Sequence, residues 1–220
     1  MRAMKGATRD FLRVVVAVVL GAQLALAFAI SGSSAAAPLP PLSIAVIGDQ
    51  NTAGMNNRVV WPTLMAERTG WAVSNYAQPE AGFAADDSGG KSFSYQVDRA
   101  QAGRPKVILL ATGTADASMH VMEAVTVGAV DAINKAVRTG HQVAVVGPIW
   151  YENPVPDSIW RVNDAVENAA ERAGVPYFNA VDPPLLSAAL MQSDLSGPSD
   201  QGQSVIAERI AAWLRTEVVR

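Results

Sequence analysis

Short apolar runs alternate with longer stretches of helical period from Leu42 to Val218. Leu42–Ile47 (LSIAVI) ends at Gly48-Asp49, and its length and β-branched content predict a buried strand. Trp61–Thr69 reads as a helix, with Pro62 tolerated in its first turn and Gly70 as its stop. Trp71–Ala77 predicts a second strand, Ser92–Ala102 a modest helix, and Lys106–Thr112 (KVILLAT) the strongest strand of the chain. Val121–Arg138 is helical and closes at Gly140, and Gln142–Gly147 (QVAVVG) is a fourth strand. Asp157–Ala173 follows as a helix, with Asp157 as N-cap and Gly174 as stop. Pro176–Asn179 is a short fifth strand. Asp200–Val218 is a last amphipathic helix, with Val205, Ile206, Ile210, Trp213 and Leu214 at helical spacing.

Strands that alternate with helices imply βαβ units, right-handed crossovers and a parallel sheet covered on both faces. The expected fold class is therefore α/β: a three-layer α/β/α sandwich on a five-stranded parallel sheet. In open sheets of this kind the functional crevice lies beyond the carboxyl ends of the strands. The segments to read for chemistry are thus 48–54, 78–87, 112–120, 147–156 and 194–202.

The N-terminal stretch changes the picture of where the protein works. Arg2, Lys5, Arg9 and Arg13 precede an apolar run, Val14–Ile30, broken only by Gln23. Small residues follow, with an A-x-A-like site near Ala35–Ala37, and then prolines at 38, 40 and 41. This is the layout of a secretory signal peptide, so residues 1–37 are expected to be removed and 38–41 to form a Pro-rich spacer before a domain at 42–218. The other reading is an uncleaved anchor, since a run of 17 residues sits at the short limit of about 17–25 for a spanning helix. The expected location is secreted or cell envelope, with membrane contact only through that segment if it stays uncleaved.

Composition narrows the chemistry. Of 220 residues, 50% are hydrophobic and 17% charged, which supports a packed core and argues against disorder. There is no cysteine, so disulfides, thiolate metal sites and a cysteine nucleophile are excluded. The net charge is −3, and removing four basic residues and Asp10 with the leader takes it to −3 − 3 = −6. That leaves no basic footprint for nucleic acid.

Four fragments at the strand ends carry a resemblance. They are Gly48-Asp49-Gln50-Asn51-Thr52-Ala53-Gly54, Pro79-Glu80-Ala81-Gly82-Phe83, Gly113-Thr114-Ala115-Asp116 and Asp194-Leu195-Ser196-Gly197-Pro198-Ser199-Asp200-Gln201-Gly202. In order and placement they resemble the blocks of the SGNH (GDSL-type) esterases: G-D-S-x-(T/S)-x-G, G-G-x-G-(F/Y), G-x-N-D and D-x-x-H-P-x-x-x-G. The resemblance spans roughly Leu42 to Leu214 and implies the flavodoxin-like SGNH hydrolase fold. In that family a serine attacks an ester carbonyl and a histidine takes the serine proton. The serine N–H, a glycine N–H and an asparagine side chain hold the oxyanion.

Here the serine position is Gln50, the asparagine position Ala115 and the histidine position Gly197. The block-two glycine aligns with Glu80, or with Gly82 after a shift of two. A glutamine amide is no nucleophile for esters, and Gly197 offers no base. Loss of one oxyanion donor typically costs about 10²–10³ in rate, and loss of nucleophile or base on the order of 10⁶. The expectation is a catalytically inactive, pseudoenzyme-like member acting as a binding module for an envelope glycan, a lipid or acyl ligand, or a protein partner.

Asp49, Gln50, Asn51, Thr52, Gly82, Asp116, Trp150 and Asp194 are the ligand-binding candidates. Asp49, Asp116, Asp194 and Glu80 also raise a hard-cation reading. Their spacing matches no dedicated metal loop, and Asp49 and Asp116 read equally as caps for backbone N–H groups, so no metal or cofactor is expected. His120 with Ser118 or Ser196 is the fallback for a relocated esterase or acyl-transfer site. Its bland counterpart is an exposed histidine in the first turn of the next helix. Trp150, Tyr151 and Trp160 suit either sugar and acyl contact or ordinary packing.

Overall fold

The computed structural model describes residues 40–86 and 89–218. The expected signal segment 1–37 and the first half of the spacer lie outside the described residues. Five strands run β1 (Ser43–Gly48), β2 (Ala72–Asn75), β3 (Val107–Ala111), β4 (Gln142–Val146) and β5 (Tyr177–Phe178). Six helices accompany them: α1 (Gln50–Ala53), α2 (Trp61–Thr69), α3 (Phe93–Gln101), α4 (Met122–Arg138), α5 (Asp157–Ala173) and α6 (Asp200–Glu217). All strand pairs are parallel and the order is β2-β1-β3-β4-β5. The fold is the three-layer α/β/α sandwich.

The central strands read as continuous apolar runs because both of their faces are covered. Ala45, Ile47, Ile108, Leu110, Val143 and Val145 pack with residues of α3, α4 and α5. Ile44, Val46, Val107, Leu109, Ala144 and Val146 pack on the other face with Trp61 and Met65 of α2 and with Ile206, Ile210 and Leu214 of α6. The chain leaves β1 towards β2 and then returns past it to β3, so the order reverses between β1 and β3. That reversal opens the crevice at their carboxyl ends. Among the described residues no helix is long and apolar enough to cross a membrane.

Most boundaries fall within a residue or two of the sequence expectation. The edge strands are shorter, each pairing along one side only. Three short elements escaped the periodicity: α1, a 3₁₀ turn at Ala115–Ser118 and another at Ala188–Leu190. A single turn is too short to establish a period. Two expectations are corrected. Asp157 is not the N-cap of α5; Pro156 holds that place in an extended conformation without a side-chain cap, and Asp157 lies in the first turn, where a negative charge suits the helix dipole. His120 is not in the first turn of α4, which begins at Met122; it sits exposed on the bend before it.

Candidate functional site

The turn after β1 is clamped from every side. Asp49 caps α1: its Oδ1 accepts from Asn51 N–H and its Oδ2 from Thr114 N–H, both at 2.9 Å. The carboxyl is wholly buried, and that burial pushes its pKa up to about 6. The two N–H bonds pull it down and the Asp116 charge adds to the rise. A Cβ at Gly113 would lie 1.6 Å from Asp49 Oδ2, so the β3 loop can approach only as glycine. Gln96 brackets the end of β1, accepting from Gly48 N–H and donating to Gly48 O, each at 2.9 Å. Gln203 donates to Asn51 O at 3.1 Å and accepts from Trp61 N–H at 2.8 Å. Trp61 Nε1 donates to Thr52 Oγ1 at 3.3 Å.

Gln50 projects from this turn and joins two other loops. Its Nε2 donates to Thr114 Oγ1 at 2.9 Å, and its Oε1 accepts from Glu80 N–H at 3.1 Å. Glu80 holds φ at 63°, in the left-handed region that favours glycine. Gly82 lies elsewhere: a Cβ on it would meet the Asp116 carboxylate at 2.4 Å. Of the two block-two alignments, the geometry places Glu80 beside Gln50. Asp116 is buried and accepts from three N–H groups of the Phe83–Ala85 loop, at 2.7, 3.0 and 2.9 Å.

The last block is arranged differently. Asp194 is exposed and accepts from Ser196 N–H at 3.0 Å and Ser196 Oγ at 2.7 Å, bonds that hold its pKa below the usual carboxylate range. Gly197 is buried, and a Cβ there would meet Met55 at 3.5 Å, an ordinary contact.

Two clefts open around these loops. The first, of about 390 Å³, is walled by Ile149, Trp150, Tyr151, Ile159, Met191 and Leu195, with Asn51, Thr114, Ser118, Ser158 and Ser196 supplying polar groups. The Trp150 and Tyr151 rings stand 5.0 Å apart at 33°. The second cleft, of about 520 Å³, is lined by Gln50, Glu80, Asp86, Ala115 and Met119, and shares Ser118 with the first. Ala115 presents only a methyl group to this second cleft.

Of the ligand-binding candidates, Gln50, Asn51 and Trp150 line a cleft. Asp49, Thr52, Gly82 and Asp116 lie behind the walls as scaffold, and Asp194 is spent on its own turn. The fallback residues do not meet: Ser118 Oγ donates to Ala115 O at 2.9 Å and Ser196 Oγ to Asp194, and His120 hydrogen-bonds neither. Asp49 and Asp116 spend their oxygens on backbone N–H groups, and among the described residues no three His, Asp or Glu side chains gather as metal ligands. His141 Nδ1 lies 2.6 Å from Pro105 O, before β4 at the far end of the sheet.

Sequence reasoning missed Thr114, Gln96 and Gln203. For the two glutamines a signal existed, because each is a polar residue on an apolar stripe: Gln96 among Phe93, Val97 and Ala100, and Gln203 among Ile206, Ala207 and Ile210. A polar side chain on a buried stripe needs a partner. Thr114 carried no signal, since its role depends on the reach of Gln50.

A parallel α/β/α sandwich with its crevice at the β1–β3 reversal, and four blocks gathered there, defines an SGNH-type hydrolase fold. The model of the GDSL-like Lipase/Acylhydrolase family matches residues 46–205, and the chain belongs to that family. Solved structures agree on the fold. A putative lipolytic protein of the G-D-S-L family from Desulfitobacterium hafniense is 16% identical with a TM-score of 0.65, over 78% of this chain and 98% of that one. TesA is 18% identical with a TM-score of 0.64, over 80% and 99%. A family two carbohydrate esterase from Clostridium thermocellum, solved in complex with cellohexaose, is 16% identical with a TM-score of 0.61, over 83% and 66%. Comparison with curated proteins gave no match.

Proposed function

We propose that this chain is an exported member of the family that does not hydrolyse esters by the family mechanism and instead binds a ligand in its cleft. One observation carries the reading: the Gln50 side chain bridges Thr114 and Glu80, the residue that the resemblance aligns with the oxyanion-binding glycine of the family. Its oxygen takes the Glu80 N–H and its amide nitrogen engages Thr114 Oγ1. The donor that would stabilise an oxyanion is thus already satisfied within the protein. No hydroxyl stands at position 50 to attack, and no imidazole at position 197 to accept its proton.

The test is turnover of p-nitrophenyl acetate and butyrate by the full chain, with a fluorophosphonate probe in parallel. The expected result is a rate equal to the blank and no labelled serine. Turnover above the blank that disappears in Gln50→Ala or His120→Ala would overturn the reading, as would labelling of Ser118, Ser196 or Ser199. Export is tested by mass spectrometry of the protein recovered from cells. A mature N-terminus near residue 38 is expected, and an intact Met1 would instead mean an anchor.

A further inference from the structure

The cleft beside Trp150 has no charged side chain among its lining residues. We propose that it binds a neutral sugar of an uncharged glycan, the ring seated on the Trp150–Tyr151 pair and the hydroxyls bonded to Asn51 and the cleft serines. This rests on the non-cleaving reading above and adds the ligand class.

The wall chemistry selects the ligand. An anion drawn into this cleft would lose water and meet no cation, with Asp194 behind Ser196 and Glu152 beside Tyr151 to repel it. The neighbouring cleft differs in holding Glu80 and Asp86. An aliphatic chain would instead cover Asn51, Thr114, Ser118, Ser158 and Ser196 and strip water from the bonding capacity they have left. A sugar offers each of them a hydroxyl.

Several of these groups keep free bonding capacity. Asn51 Nδ2 reaches Ile149 O only at 3.4 Å, long for a hydrogen bond. Thr114 Oγ1 accepts from Gln50 and retains its own proton to donate. Ser118 Oγ donates to Ala115 O and retains its acceptor lone pairs.

The opposite chemistry comes from the rings. Trp150 and Tyr151 stack on each other at 5.0 Å and 33° in the cleft wall, and the negative π-face of an aromatic ring suits the C–H face of a pyranose. Leu195 extends the apolar wall to the rim, 46% exposed and held at φ 58°. A non-glycine residue there costs of order 1–3 kcal/mol, a strain that clusters at ligand sites. The volume of about 390 Å³ falls within the roughly 300–1,000 Å³ usual for ligand clefts.

The experiment is isothermal titration of the full chain with cellohexaose, xylohexaose and mannohexaose. Hexagalacturonate serves as a charged comparison and decanol as an aliphatic one. At least one neutral hexasaccharide is expected to bind saturably, and Trp150→Ala and Tyr151→Ala are each expected to weaken it about tenfold or more, or 1.4 kcal/mol. Ser196→Val, on an exposed turn, tests the hydroxyl wall without disturbing the core and is expected to weaken binding several-fold. Tyr95→Ala, an exposed aromatic on α3, is expected to leave it unchanged.

The proposal is overturned if none of the three neutral sugars binds, if binding survives all three cleft substitutions, or if decanol or hexagalacturonate binds as tightly. Turnover of p-nitrophenyl acetate is measured on the same sample. Absent sugar binding without turnover removes only the ligand class. Turnover removes the non-cleaving reading and leaves the sugar result standing.

Discussion

Two aspartates flank the crevice in opposite surroundings. Asp49, at the end of β1, is sealed from water and braces two loops through Asn51 and Thr114. Asp194, ahead of α6, is exposed and bonds only within its own turn. The first region is a close-packed polar knot, in which Gly113 must be glycine and Asp116 must be a three-fold acceptor. The second has room to change, since even a Cβ at Gly197 meets its nearest neighbour at 3.5 Å. The difference shows which parts of the crevice are fixed by packing. Asp49, Gly113 and Asp116 are needed to close the loops, whereas Asp194 and Gly197 make no such contacts.

Substitutions can break or sharpen that contrast. The largest effect is expected from Gly113→Ala, which drives a methyl group into the Asp49 carboxyl. A loss of about 4 kcal/mol in urea unfolding is expected; a loss near zero would mean that the knot yields easily. Asp116→Ala removes the acceptor of three loop N–H groups and should cost about 3 kcal/mol by the same measurement.

The pH dependence follows from Asp49, whose folded pKa is raised from 3.8 to about 6. Between those values the native state holds the proton more tightly than the unfolded chain. The contribution of Asp49 to stability is therefore complete below pH 3.8 and declines as pH rises through 6. At 1.36 kcal/mol per pH unit the decline is up to roughly 3 kcal/mol. Unfolding curves from pH 3.5 to 7 should show this slope in the native protein and its loss in Asp49→Asn. The smallest effect is expected from Asp194→Ala and Gly197→Ala, each of which should leave the melting temperature where it is. A marked drop in either would erase the contrast between the two ends.

The fold was legible because burial on both faces writes itself into composition: LSIAVI, KVILLAT and QVAVVG read as strands of a covered parallel sheet. The first three blocks were legible because each follows a strand, and the fourth because it leads into the terminal helix. The N-cap of α5 was not, because Pro156 and Asp157 both suit a helix start and backbone geometry chooses between them. Nor was the choice between Glu80 and Gly82, which differ by a shift of two residues in one loop.

The sequence by itself determined the α/β sandwich, the position of the crevice and the identities of the residues in the four blocks, Gln50, Ala115 and Gly197 among them. These follow from local patterns and from residue identity. Only the tertiary structure decided that Gln50 spans to Glu80 and Thr114, that Asp49 is sealed from water, and that Trp150 and Tyr151 wall an uncharged cleft. Those facts join residues from 30 positions apart (Gln50 and Glu80) to 196 − 51 = 145 (Asn51 and Ser196), and side-chain reach across such gaps is fixed by packing rather than by any pattern along the chain.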